Sequence, residues 1–98
     1  MTYRSKLQDP FTDGLFQAIL KLETIEECYR FFEDVCTIKE LQSISQRLEV
    51  AKLLKEGKTY NEIEDKTGAS TATISRVNRC LHYGADGYKL ILSRLEDE

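Results

Sequence analysis

Three threonines in this 98-residue chain are each followed three positions later by a glutamate: Thr24 with Glu27, Thr37 with Glu40 and Thr59 with Glu62. In that spacing the hydroxyl can accept from the glutamate's backbone N–H while the carboxylate reaches back to the threonine N–H, so two donors orphaned at a helix start are satisfied reciprocally. Each pair therefore predicts a helix start. Asp9 before Pro10 adds a fourth, because aspartate suits the cap and proline suits the first helical position. No strand-like alternation competes with these signals, and the chain is expected to be all-α.

Between the starts, apolar residues recur at helical spacing. Phe11, Leu15, Phe16, Ile19, Leu20 and Leu22 form a wide stripe in a first helix, and Ile25, Tyr29, Phe32 and Val35 follow in a second. A third runs towards Gly57 with Leu41, Ile44, Leu48, Ala51 and Leu54 on one stripe and Val50 and Leu53 on a second edge. A short helix over about Thr59 to Lys66, a turn at Gly68, a helix over about Thr71 to Leu81 and a last one after Asp86 bring the number to six. Gly84 and Gly87 punctuate the final junction, and the terminal LEDE reads as a solvated acidic tail.

With one proline, no repeat and no low-complexity segment, residues 1–98 are expected to form one domain. A domain of this size buries roughly 60 to 70% of its unfolded surface. Wide apolar faces on three helices are more than such a bundle hides easily, so a homodimer is expected to cover them; a compact monomer is the alternative.

Fourteen basic and seventeen acidic residues give a formal charge of −3, so any nucleic-acid site must be local. Cys28, Cys36 and Cys80 form no CxxC pair and are expected to be reduced and mostly packed. The start, MTYRSKLQDP, lacks the apolar core of a signal peptide, and no run has the length of a membrane span; a cytoplasmic protein without membrane partners is expected. His82 is the single histidine and no Gly-rich phosphate loop is present, so neither an enzyme nor a cofactor is expected. Cys80 and His82 alone make no metal site.

The segment TGASTATISRVNRCL carries the functional signal. Gly68 permits a positive-φ turn, and Ile63, Ile74 and Val77 occupy the spacing by which the first helix of a helix-turn-helix packs on the second. Short residues at the second helix start let it lie close in a major groove, with Thr71 and Thr73 reaching base edges and Ala72 a thymine methyl. From Lys66 to Ala85 there is no acidic residue, while Lys66, Arg76 and Arg79 are basic. Lys58, Thr59 and Ser70, at the two helix starts, complete the DNA-binding set through phosphate contacts. Glu64 departs from the motif, which commonly has a small residue there. The rival reading is a dimeric module whose head docks a protein, or senses a small anion, and does not read DNA.

Residues 37 to 83 resemble the trp repressor superfamily, above all in ISQR, LLKEG and GASTATISR, and the chain's length and element order resemble its YerC/YecD branch. The resemblance implies a six-helix, intertwined homodimer that binds double-stranded DNA, with dimerisation helices over about 9–57, a reading head over 58–83 and a C-terminal helix and tail over 86–98. It also implies a corepressor pocket. In tryptophan-responsive members two arginines and a threonine hold the ligand, and their counterparts are Arg47, Arg76 and Thr37. Val77 stands where those members have glycine, and Cys80 where they have serine. A valine in that space costs on the order of 1–3 kcal/mol in packing strain, so tryptophan is not the expected effector. The plainer reading gives Thr37 a capping role and sets Arg47 and Arg76 against phosphates or carboxylates such as Glu49.

Overall fold

The computed structural model describes residues 3–97, which hold six helices and no strand: α1 (Pro10–Ile19), α2 (Ile25–Val35), α3 (Ile38–Lys55), α4 (Tyr60–Thr67), α5 (Thr71–Tyr83) and α6 (Gly87–Glu96). The all-α expectation holds, and each start lies within a residue of its sequence signal. Backbone packing divides the chain into two compact units, residues 1–38 and 39–98.

In the first unit, the Asp9 carboxylate caps α1. The Thr12 hydroxyl donates to it at 2.6 Å and the N–H groups of Phe11 and Thr12 at 2.8 and 3.2 Å. These bonds, the hydroxyl's first, hold its carboxyl below the ordinary 3.8. Thr24 caps α2 by accepting from the Glu27 N–H at 3.0 Å, but the reciprocal half of the expected box is displaced. The Glu27 carboxylate instead accepts from the N–H of Glu23 at 2.8 Å, one residue further out. Neither helix buries a single residue. Phe11 is 92% exposed, and Leu15, Phe16, Leu20, Ile25, Tyr29 and Val35 are exposed with it; Ile19, Leu22 and Phe32 are half-buried.

The second unit contains the core. Val50, Ala51 and Leu53 of α3 meet Ile63 of α4, Ala69 of the turn, Ile74, Val77 and Leu81 of α5, and Leu92 of α6, with Leu54, Tyr60 and Tyr88 against their edge. Both expected edges of α3 contribute, but only in its C-terminal part. The secondary edge, Val50 and Leu53, is buried, whereas Ile44 and Leu48 of the main stripe are exposed. Ala51 of the main stripe is buried with Val50 and Leu53, so the division runs along the helix: residues 50–54, in its C-terminal part, meet α4 and α5, and Ile44 and Leu48 precede that contact.

Two positive-φ glycines set the turns that fold α4 and α5 onto α3. Gly57 (φ 85°) ends α3, and Gly68 (φ 73°) caps α4 with its N–H on the Glu64 carbonyl at 2.8 Å. The LEDE segment is exposed over residues 95–97 as expected, but it is not a free tail: α6 continues to Glu96 and Lys55 pairs with that residue at 3.3 Å; Glu98 lies outside the described residues. The cysteines depart from expectation: Cys28 and Cys80 are exposed and Cys36 is half-buried, all as free thiols. No helix among the described residues is long and apolar enough to cross a membrane.

Ile63 is fully buried at the centre of the α3–α4–α5 contact. Replacing it by alanine is expected to destabilise the fold by about 2–5 kcal/mol, read as a lower denaturation midpoint at unchanged denaturant slope.

Candidate nucleic-acid interface

The α4–turn–α5 unit is built from both ends. At its start Thr59 and Glu62 form the full capping box, with the Thr59 N–H donating to the Glu62 carboxylate at 2.9 Å and the Glu62 N–H to the Thr59 hydroxyl oxygen at 3.2 Å. The backbone N–H of Thr59, its hydroxyl and then Lys58 hold the Glu62 carboxyl below its ordinary 4.5. The Thr59 hydroxyl thus accepts from the Glu62 N–H and turns its own proton to the Glu62 carboxylate. Lys58 beside it is exposed.

At the C-terminus of α4, the Thr67 hydroxyl donates to the Ile63 carbonyl at 2.7 Å and accepts from the Ala69 N–H at 3.1 Å. Gln46 of α3 donates its amide to the Thr67 carbonyl at 3.1 Å. These bonds satisfy groups that a helix end leaves open, and they pin the turn to α3. Gln46 was not singled out from sequence; the only clue was its place in the ISQR segment.

Beyond Gly68, Ser70 caps α5, accepting from the Thr73 N–H at 3.1 Å and donating its own proton to the Thr73 hydroxyl oxygen at 3.1 Å. Thr73 is half-buried with its hydroxyl proton free to turn outward, while Thr71 and Ala72 are exposed. The Thr71 hydroxyl is not free in the same sense: it donates to the carboxylate of Glu64, on the last turn of α4. The segment that is clear of acidic residues in sequence is thus met by one in space. Arg76 and Arg79 are exposed and, among the described residues, enter no ion pair.

An open cleft of about 660 Å³ runs along α5 beside Arg79, lined by Tyr60, Ser75, Asn78, His82 and Tyr83. Its walls are rich in donors. The His82 Nδ1 lies 2.8 Å from the Asn78 carbonyl oxygen, which leaves Nε2 facing away from the helix. Ser75 and Asn78 were passed over in sequence and His82 was weighed only as an enzyme or metal residue, although their i, i+3, i+7 spacing sets them on the face that carries Arg79.

The ligand-pocket residues have separate environments. Val77 is 2% exposed, packed in the core; Arg76 and Cys80, one turn apart, share an exposed edge of α5; Arg47 is half-buried on α3; Thr37 is exposed before α3. Packing of Cys80 was expected and is not found. Glu49, the carboxylate suggested for Arg47 or Arg76, lies 4.0 Å from Lys66 instead. An i,i+17 pair across the turn was not to be read from helix periodicity.

A left-handed Gly68, the three buried residues Ile63, Ile74 and Val77, and an exposed small-residue start of the second helix make a helix-turn-helix. The family model described as Trp repressor protein matches residues 12–96. The chain belongs to the Trp repressor family. It is 60% identical over 92 residues to YerC of Bacillus subtilis (strain 168), an uncharacterized protein, covering 94% of this chain and 88% of that one. A crystal structure from Staphylococcus aureus, provisionally assigned as a Trp repressor, superposes with a TM-score of 0.90 at 58% identity, covering 95% and 93% of the two chains. A TrpR-like protein from Eubacterium eligens ATCC 27750 matches equally, with a TM-score of 0.90 at 60% identity over 93% and 94%. The six helices are therefore those of a TrpR-like fold of the YerC type, in a family of DNA-binding regulators and not of enzymes.

The capping box makes this head sensitive to acid in a defined direction. A carboxyl lowered by folding adds stability above its unfolded value and loses it as pH falls through the folded value. Glu62 should thus hold α4 fully above about pH 4.5 and lose that contribution progressively as pH falls from there through its lowered folded value. Glu62→Gln, which cannot titrate, is expected to flatten the acid limb of a stability–pH curve; equal limbs in variant and wild type would contradict this.

Proposed function

We propose that this Trp repressor family member is a sequence-specific DNA-binding transcriptional regulator of repressor type, acting in the cytoplasm as an intertwined homodimer without tryptophan as corepressor. The observation that carries the proposal is the helix-turn-helix, in which buried Ile63, Ile74 and Val77 fix the angle of α5 while Ala72, Arg76 and Arg79 remain exposed. In this reading Ala72 and Thr73 approach base edges in the major groove. Lys58, Arg76 and Arg79 bind phosphates through their charges and Thr59 and Ser70 through the backbone N–H groups of the helix starts they cap, with the donor-rich cleft beside Arg79 receiving the backbone.

Residues 1–98 act as one domain, with 9–57 serving dimerisation, 58–83 reading and 86–98 closing the head. The exposed apolar residues of α1 and α2, together with Ile44 and Leu48 of α3, support the dimer, because soluble monomers seldom leave so much large apolar surface uncovered. Independence from tryptophan rests on Val77. Its methyl groups are part of the head's own core, so the packing that a corepressor would supply is already present.

The DNA assignment is tested by titrating duplex DNA at several salt concentrations in buffer free of tryptophan. Binding that weakens steeply with salt is expected, and added tryptophan should leave it unchanged. Arg79→Ala should weaken all sequences alike and flatten the salt slope, whereas Thr73→Ala should change which sequence is preferred, each lost base contact being worth about 1–3 kcal/mol. A folded protein with no salt-sensitive DNA binding would favour the protein-docking reading. The dimer is tested by melting over a range of protein concentrations: the midpoint should rise with concentration, and a folded monomer by light scattering at micromolar protein would refute it.

A further inference from the structure

The DNA-reading assignment leaves one contact without a role. The Thr71 hydroxyl donates to the Glu64 carboxylate, and neither group belongs to the core. Glu64 is half-buried on the last turn of α4, where its carbonyl also accepts from Gly68, so its position is tied to the turn itself. Lys66, two residues away, is turned to Glu49 and does not neutralise it.

The hydrogen-bond chemistry of the pair is one-sided. A threonine hydroxyl has one proton and two lone pairs, and a carboxylate has lone pairs only. With its proton committed to Glu64, Thr71 can meet an outside group only as an acceptor. The Glu64–Thr71 contact itself therefore offers acceptors and no donor. A phosphate oxygen, the O6 and N7 of guanine and the O4 of thymine are acceptors too, and each would be repelled there. Adenine presents a donor at N6 beside an acceptor at N7, so it matches half of the pair. Cytosine presents the N4 amine with no adjacent acceptor, and a carboxylate is the side chain that accepts from it.

Building on the DNA-reading assignment, we propose that Glu64 is a specificity-determining residue which, through Thr71, selects cytosine at one position of the bound site and turns away guanine and thymine. Glu64 also repels phosphate, so it lowers affinity for unrelated duplex while sharpening the choice among sequences. Its acidic character, out of place in a motif that binds a polyanion, has a function on this account.

The test is selection from random duplex DNA with wild-type protein, Glu64→Gln and Thr71→Val, each first shown to be folded by circular dichroism. Glutamine adds a donor where the wild type has none, and valine keeps the shape of threonine without its hydroxyl. Wild type should enrich a site with one cytosine position that both variants relax, the preference for cytosine over guanine or thymine falling roughly five- to hundredfold. Glu64→Gln should at the same time bind unselected DNA more tightly. A wild type that selects a defined site, with Glu64→Gln showing the same base preferences throughout, overturns this inference and leaves the DNA-reading assignment intact. A folded wild type that enriches no sequence overturns both.

Discussion

Burial of Ile63 against Ile74 and Val77 around the left-handed Gly68 is the contact on which the rest of the head depends. It fixes the angle between α4 and α5, and it joins both to the second half of α3 through Val50, Ala51 and Leu53. The surface that faces outward is decided by which residues this contact uses. Since positions 63, 74, 77 and 81 are spent on the core, positions 71, 72, 76 and 79 are left to solvent. A leucine-sized group more or less in that core would tilt α5 and move every exposed group on it.

The polar bonds around the turn refine what the apolar core sets. Gln46 holds the Thr67 carbonyl, Thr67 holds Ala69, and Ser70 holds Thr73, so no hydroxyl in the turn is left to find its own orientation. This ordering determines which protons are available outward. Thr73 keeps its own, while Thr59 turns its proton to Glu62 and Thr71 gives its proton to Glu64. A surface with three threonines is thus not three equivalent hydrogen-bonding groups. Lys58, Arg76 and Arg79 stand around it as exposed positive charge in a chain whose net charge is −3.

Much of this was legible in the order of residues. Helix starts at Asp9, Thr24 and Thr59 follow from local capping chemistry, which needs only three or four neighbouring residues, and Gly68 with Ile63, Ile74 and Val77 follows from a spacing that one turn geometry requires. What periodicity could not assign was how far along α3 the head reaches. Val50, Ala51 and Leu53 face it and Ile44 and Leu48 do not, and a stripe on a helical wheel does not say where along its length a neighbour lies. Contacts across the turn were equally out of reach. Glu64 with Thr71, and Glu49 with Lys66, join residues seven and seventeen apart, and only the fold brings them together. Cys80 was assigned to the interior on the habits of its residue type, whereas its place on α5 opposes that.

If the head is held by its own side chains, its order should not depend on an effector. Native-state hydrogen exchange on the protein free of ligand measures this directly, through the amides of Ile74, Val77 and Leu81 within α5. They should exchange only by opening close to global unfolding, and saturating tryptophan should leave their protection unchanged. Fast exchange through α4 and α5 that slows when tryptophan is added would contradict it, because the core around Val77 would then be incomplete without a ligand.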